Sequence, residues 1–139
     1  MVFPATDEIY SAMKEHGLEC GIEAREDSSV LHIGINTEKT SFEALYISRS
    51  EKNDVALRIY NLLRFPEEKL DQLLEAVNEA NNRFRFMKFT IDVKNFSVDA
   101  SFDFTVAGEN VGECAHEMLM RAAGIIDECY PAFMSTLAG

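Results

Sequence analysis

Apolar residues recur along this chain with two different periods, and the switch between them predicts which segments are helices and which are strands. A first helix is expected from about Asp7 to His16. Thr6 would be its N-cap, Asp7 and Glu8 sit at the positive end of its dipole, and Ile9 and Met13 mark its buried stripe. Gly17 is placed to end it in the left-handed conformation, with Leu18 folding back. Four strands follow at period two, over Glu19–Arg25, Val30–Asn36, Ser41–Arg49 and Val55–Leu63, separated by short polar turns at Asp27-Ser28-Ser29, Thr37–Thr40 and Ser50–Asp54. A second helix begins near Pro66 and carries Leu70, Leu73, Leu74 and Val77 on one stripe until Asn81 and Asn82. Two further strands, Phe84–Val93 and Phe96–Val106, show strict alternation. The outward Asp99, Ser101 and Asp103 of the second are available to Lys88 of the first.

The last helix is expected to start at Asn110, with Glu113 completing a capping box. Its stripe runs through Val111, Ala115, Met118, Ala122, Ile125, Cys129 and Phe133, and Pro131 should end or kink it. The order α-β-β-β-β-α-β-β-α, with hairpin-length connections between strands, defines an α+β fold. Three helices cover one face of an antiparallel sheet of about six strands, within a single domain over residues 1–139.

The alternation also defines a second sheet face. If the aliphatic rows face the helices, then His32, Phe42, Ala44, Tyr46, Arg58, Tyr60, Phe86 and Lys88 face away from them. Four aromatics accompanied by Arg, Lys and His resemble a contact surface more than a purely solvated face. The same residues also suit an ordinary half-exposed strand, since aromatics favour strands in any context.

Composition narrows the function classes. With 24 Asp+Glu against 13 Lys+Arg, the net charge is -11. Such a surface repels phosphate backbones and anionic lipid, which argues against nucleic acid and membrane as partners, and it favours solubility or a basic partner. Cys20, Cys114 and Cys129 are too few and too irregularly spaced for a disulfide framework, so reduced thiols in the cytoplasm are expected. The residues from Met1 to Asp7 lack the basic and apolar regions of a signal peptide, and no apolar run reaches the roughly 18 residues of a membrane span.

Catalytic motifs are not found. Gly108 is followed by Glu109 rather than a phosphate-loop lysine, and neither a nucleophile elbow nor paired zinc-ligand spacing occurs. Cys114 and His116 project to different sides of a helix. Glu113, Cys114, His116 and Glu117 therefore read as a capped, solvated face rather than a metal cluster. No cofactor, no metal and no enzymatic activity are expected.

Three segments together resemble a known family. They are Phe65-Pro66-Glu67-Glu68-Lys69, the run Leu74–Asn81 with Val77-Asn78 and Asn81, and Arg83-Phe84-Arg85-Phe86-Met87-Lys88-Phe89. They are similar to the YbjN family, which is associated with bacterial sensory-transduction regulation and has a fold like that of type III secretion chaperones. The resemblance implies a small, non-enzymatic, homodimeric module. It also implies that Asn78 and Asn81 end the helix and satisfy backbone groups. Two functions compete on this basis: a chaperone-like or regulatory protein-binding module, and a small-ligand sensor with a pocket between helices and sheet.

Overall fold

The computed structural model describes residues 1–52, 54–106 and 110–139. One position of the expected Ser50–Asp54 turn, and the Gly108-Glu109 step, lie outside the described residues. The elements are α1 (Pro4–Glu15), β1 (Cys20–Ala24), β2 (Ser29–Asn36), β3 (Ser41–Ser48), β4 (Asp54–Arg64), a single 3-10 turn (Glu67–Lys69), α2 (Leu70–Arg83), β5 (Lys88–Asp92), β6 (Ser97–Thr105) and α3 (Val111–Ala138). The strands form one antiparallel sheet in the order β1-β2-β3-β4-β6-β5. The expected α+β architecture is therefore present.

Helix α1 begins earlier than expected, because Pro4 occupies its first turn, where a missing N–H costs nothing. Thr6 is consequently inside the helix. It is buried, and its hydroxyl shares a 2.7 Å hydrogen bond with that of Ser29 on β2. The other end follows expectation. Gly17 has φ +77°, its N–H donates to the Lys14 carbonyl, and the Leu18 N–H donates to Met13, the paired bonds of a Schellman motif.

Helix α3 buries Val111, Ala115, Leu119, Ala122, Ile126, Cys129 and Phe133. Leu119 and Ile126 take the places expected for Met118 and Ile125: both stripes mix four- and three-residue steps, and periodicity alone does not choose between neighbours one position apart. The helix continues through Pro131. The proline side chain is exposed, and its missing N–H costs the Asp127 carbonyl its usual helical partner. Phe133 meets Phe89 of β5 edge to face, with ring centroids 5.2 Å apart. Helix α2 buries Leu73, Val77 and Ala80, but Leu74 is 47% exposed and leaves the stripe.

Strand β4 contains an irregularity that shapes its second half. Ile59 pairs with Ala100 and Leu63 with Val98, so three residues of β4 oppose Asp99 alone. Asn61 takes φ 55°, as asparagine tolerates, and its N–H donates to the Asp99 carboxylate at 2.8 Å in place of a ladder partner.

Candidate functional site on the helix-free sheet face

The register settles which rows share a face. Leu31, Ile33 and Ile35 of β2 lie opposite Tyr46, Ala44 and Phe42 of β3, and all six are buried toward the helices. Phe42, Ala44 and Tyr46 thus belong to the core, not to the second face. Both rows of β3 are apolar, so alternation alone could not orient the strand. The Tyr46 hydroxyl shows what holds the observed choice. It donates to the Ala115 carbonyl of α3 at 2.7 Å, a partner that the helix-free face does not offer. Burial raises its pKa far above the usual tyrosine value.

Phe86 also leaves the expected face. It precedes β5, with φ 73°, and stacks on Phe102, a buried core residue, at 5.8 Å. Arg85 and Arg121 approach its ring at 5.1 and 5.6 Å, which places it beside α3.

His32, Arg58, Tyr60 and Lys88 remain on the candidate face. The register aligns three of them in a single cross-strand row, Gly21–His32–Leu45–Arg58–Ser101–Lys88, which crosses all six strands. Neighbouring positions in such a row are about 4.8 Å apart. Tyr60 stands one step beyond Arg58 along β4 and is 49% exposed. Leu45, although aliphatic, lies half-buried in this row and not on the helix side.

Several charges of this face are paired, through carboxylates that stay open to solvent. His32 Nε2 lies 2.7 Å from Glu23, and its Nδ1 is 3.6 Å from Glu43. The Arg25 and His32 bonds to the Glu23 carboxylate hold its pKa down at about 2. Arg58 pairs with Asp103 at 2.8 Å. Lys88 does not pair with the aspartate row; its Nζ donates to the Asn81 carbonyl at the end of α2. Exposed pairs like these are screened by water and contribute little stability, so the face carries charge without being locked by it.

Asn81 fulfils part of the role that the resemblance implies for it: it satisfies backbone groups, but α2 runs on to Arg83 rather than ending at Asn81. Its side chain donates to the Phe89 carbonyl at 2.9 Å and accepts from the Phe89 N–H at 2.8 Å, pairing α2 with the edge strand β5. Asn78 is exposed.

Other features bear on chemistry. A cavity of about 140 Å³ opens between α2 and α3, lined by Ala80, Phe84, Cys129 and Phe133, with Arg83 and Glu128 paired at 3.1 Å. Burial pushes the Cys129 thiol up to about 11, which keeps it protonated and a poor nucleophile. On α3, Glu117 pairs with Arg121. Glu113 makes no capping box: Asn110 is the N-cap without a side-chain capping bond, and the Glu113 carboxylate turns to His16 instead.

The fold and this face define a class: a small α+β domain with three helices on one side of an antiparallel sheet and a charged, partly apolar row on the other. The chain belongs to the YbjN family, described as "Putative bacterial sensory transduction regulator", whose model matches residues 5–135. No curated protein and no solved structure matches the chain. Among the described residues, no helix is long and apolar enough to cross a membrane.

Proposed function

We infer that this protein is a non-enzymatic regulatory module that binds an extended, apolar and basic protein segment along the helix-free sheet face, and that it works as a homodimer. The observation that carries this reading is the row from His32 through Leu45 and Arg58 to Lys88, with Tyr60 beside it. Within this charged row Leu45 and Tyr60 offer apolar contacts, and the carboxylates of Glu23, Glu43, Asp99 and Asp103 stand on the same face to receive a cationic partner. The net charge of -11 favours encounter with such a segment. The small-ligand reading has weaker support. The cavity between α2 and α3, at about 140 Å³, falls below the roughly 300 Å³ of ordinary ligand pockets.

Fluorescence anisotropy with a synthetic peptide alternating Val and Lys tests the docking face, with the same peptide carrying Glu for Lys as the control. Binding of the Lys peptide alone, weakened by Tyr60→Asp and Leu45→Asp, is the expected result. Equal binding of both peptides, or indifference to both substitutions, would refute the proposed face. Sedimentation velocity tests the dimer, and a strictly monomeric protein at high concentration refutes that part.

A further inference from the structure

His16, Glu113 and His116 come together at the junction of α1 and α3, although 97 residues separate His16 from Glu113. Each step that assembles them has a physical cause. Glu113 and His116 stand three positions apart in the first turns of α3, so both project from one helix face. His16 is the C-cap of α1, fixed there by the turn at Gly17. The two helices approach closely because residue 112 is glycine: a Cβ there would lie 2.6 Å from the Glu8 carbonyl oxygen and 2.8 Å from the Ala12 Cβ.

The side chains converge further than an ion pair requires. His16 Nε2 lies 3.0 Å from Glu113 Oε2 and 3.3 Å from Oε1. The His16 and His116 rings stack with centroids 3.5 Å apart and planes 4° from parallel. One ligand atom from each residue lies within 4.8 Å of the others. Ligands of a tetrahedral ion bound at 2.0–2.2 Å stand roughly 3.4 Å apart. At least one ring must swing out of the stack before the in-plane lone pairs of both can meet at one ion, a rearrangement open to side chains that are exposed or half-buried.

We propose that His16, Glu113 and His116 form a three-ligand site for a first-row divalent metal ion, with Zn²⁺ as its best-suited occupant. Two imidazoles and one carboxylate suit zinc and its neighbours, whereas calcium and magnesium take mostly oxygen ligands. Three protein ligands leave one position open to water. The charge around the cluster supports a cation, since Asp7, Glu8 and Glu15 line a cleft of about 340 Å³ that Glu113 borders. Bound there, the ion would tie the end of α1 to the start of α3.

Isothermal titration of the untagged, reduced, chelator-stripped protein with ZnCl₂ tests the site. One equivalent should bind, with a rise in melting temperature that chelator reverses, and MgCl₂ should not compete. His16→Ala and His116→Ala should each weaken binding more than about 10-fold, since loss of a direct ligand exceeds the effect of losing an outer partner. Glu113→Gln should weaken it as well, and Cys114→Ser should leave it unchanged. Circular dichroism of the metal-free variants establishes that they remain folded. Absence of zinc binding by the wild-type protein would overturn the proposal. So would binding that survives both histidine substitutions, or binding that disappears in Cys114→Ser.

Discussion

Single residues carry several of the joints that hold this fold together. The Asn81 side chain makes two hydrogen bonds to the backbone of Phe89 and so attaches the edge strand β5 to α2. At about 0.5–1.5 kcal/mol per bond, Asn81→Ala should lower stability by about 1–3 kcal/mol, measured by urea denaturation. Asp127 of α3 acts similarly on the turn between β2 and β3. It accepts from the Thr37 hydroxyl at 2.5 Å and from the Glu38 and Lys39 N–H groups at 3.1 Å. The Thr37 bond is the main cause of its lowered pKa. Glu23 is lowered too, from 4.5 to about 2. A carboxylate whose folded pKa is depressed adds stability above its unfolded pKa, and that contribution disappears as pH falls through the folded value. Stability should therefore decline with acidification from about pH 4.5 down to about pH 2 for Glu23. The slope over this acid range should flatten in a Glu23→Gln, Asp127→Asn double variant, as followed by thermal melts across a pH series. The asparagine at 81 was readable as a backbone-satisfying residue from its motif, but its partner was not. A bond between residues 81 and 89 depends on how helix and strand are set side by side.

Among the elements, the packing of α1 on α3 depends most on one position. Gly112 meets the Glu8 carbonyl and the Ala12 side chain with no space for a methyl group. Gly112→Ala should force the helices apart and cost about 1–3 kcal/mol, the usual range for overpacking a filled site, read as a lower midpoint in urea. The same substitution should separate His16 from Glu113 and weaken zinc binding together with stability. Helix existence, the Schellman end of α1 and the strand count were all legible, because periodicity and turn chemistry are local. Other features were not legible, among them the stripe of α3, the irregularity of β4, the start of α1, the orientation of β3 and the length of β5. The start of α1 moved because a proline can occupy a first helical turn. Strand β3 is apolar on both faces, so its orientation waited for the hydroxyl of Tyr46 to find the Ala115 carbonyl. Strand β5 is shorter than expected because Phe86, at φ 73°, turns its ring away from the sheet row and onto Phe102.

For the molecule as a whole, a charge of -11 makes opposite predictions for the two associations proposed above. Self-association brings like charges together, so the homodimer should strengthen as salt rises from about 0.01 to 0.15 M and the Debye length shortens from about 30 to 8 Å. A basic peptide should bind more weakly over the same range, chiefly through a slower association rate. Sedimentation velocity and stopped-flow fluorescence across that salt series measure the two trends, and a shared direction would show that charge does not govern both.

The amino-acid sequence alone determined the order of elements, the antiparallel sheet and the absence of recognisable catalytic motifs, since each follows from residues close together along the chain. Only the tertiary structure decided the candidate surfaces. Strand register aligned His32, Arg58 and Lys88 in one row and moved Phe42, Tyr46 and Phe86 out of it. The contact of α1 with α3 at a glycine brought His16 to Glu113 and His116. Both outcomes depend on groups distant in sequence finding partners in space, a relation that hydrophobic period does not encode.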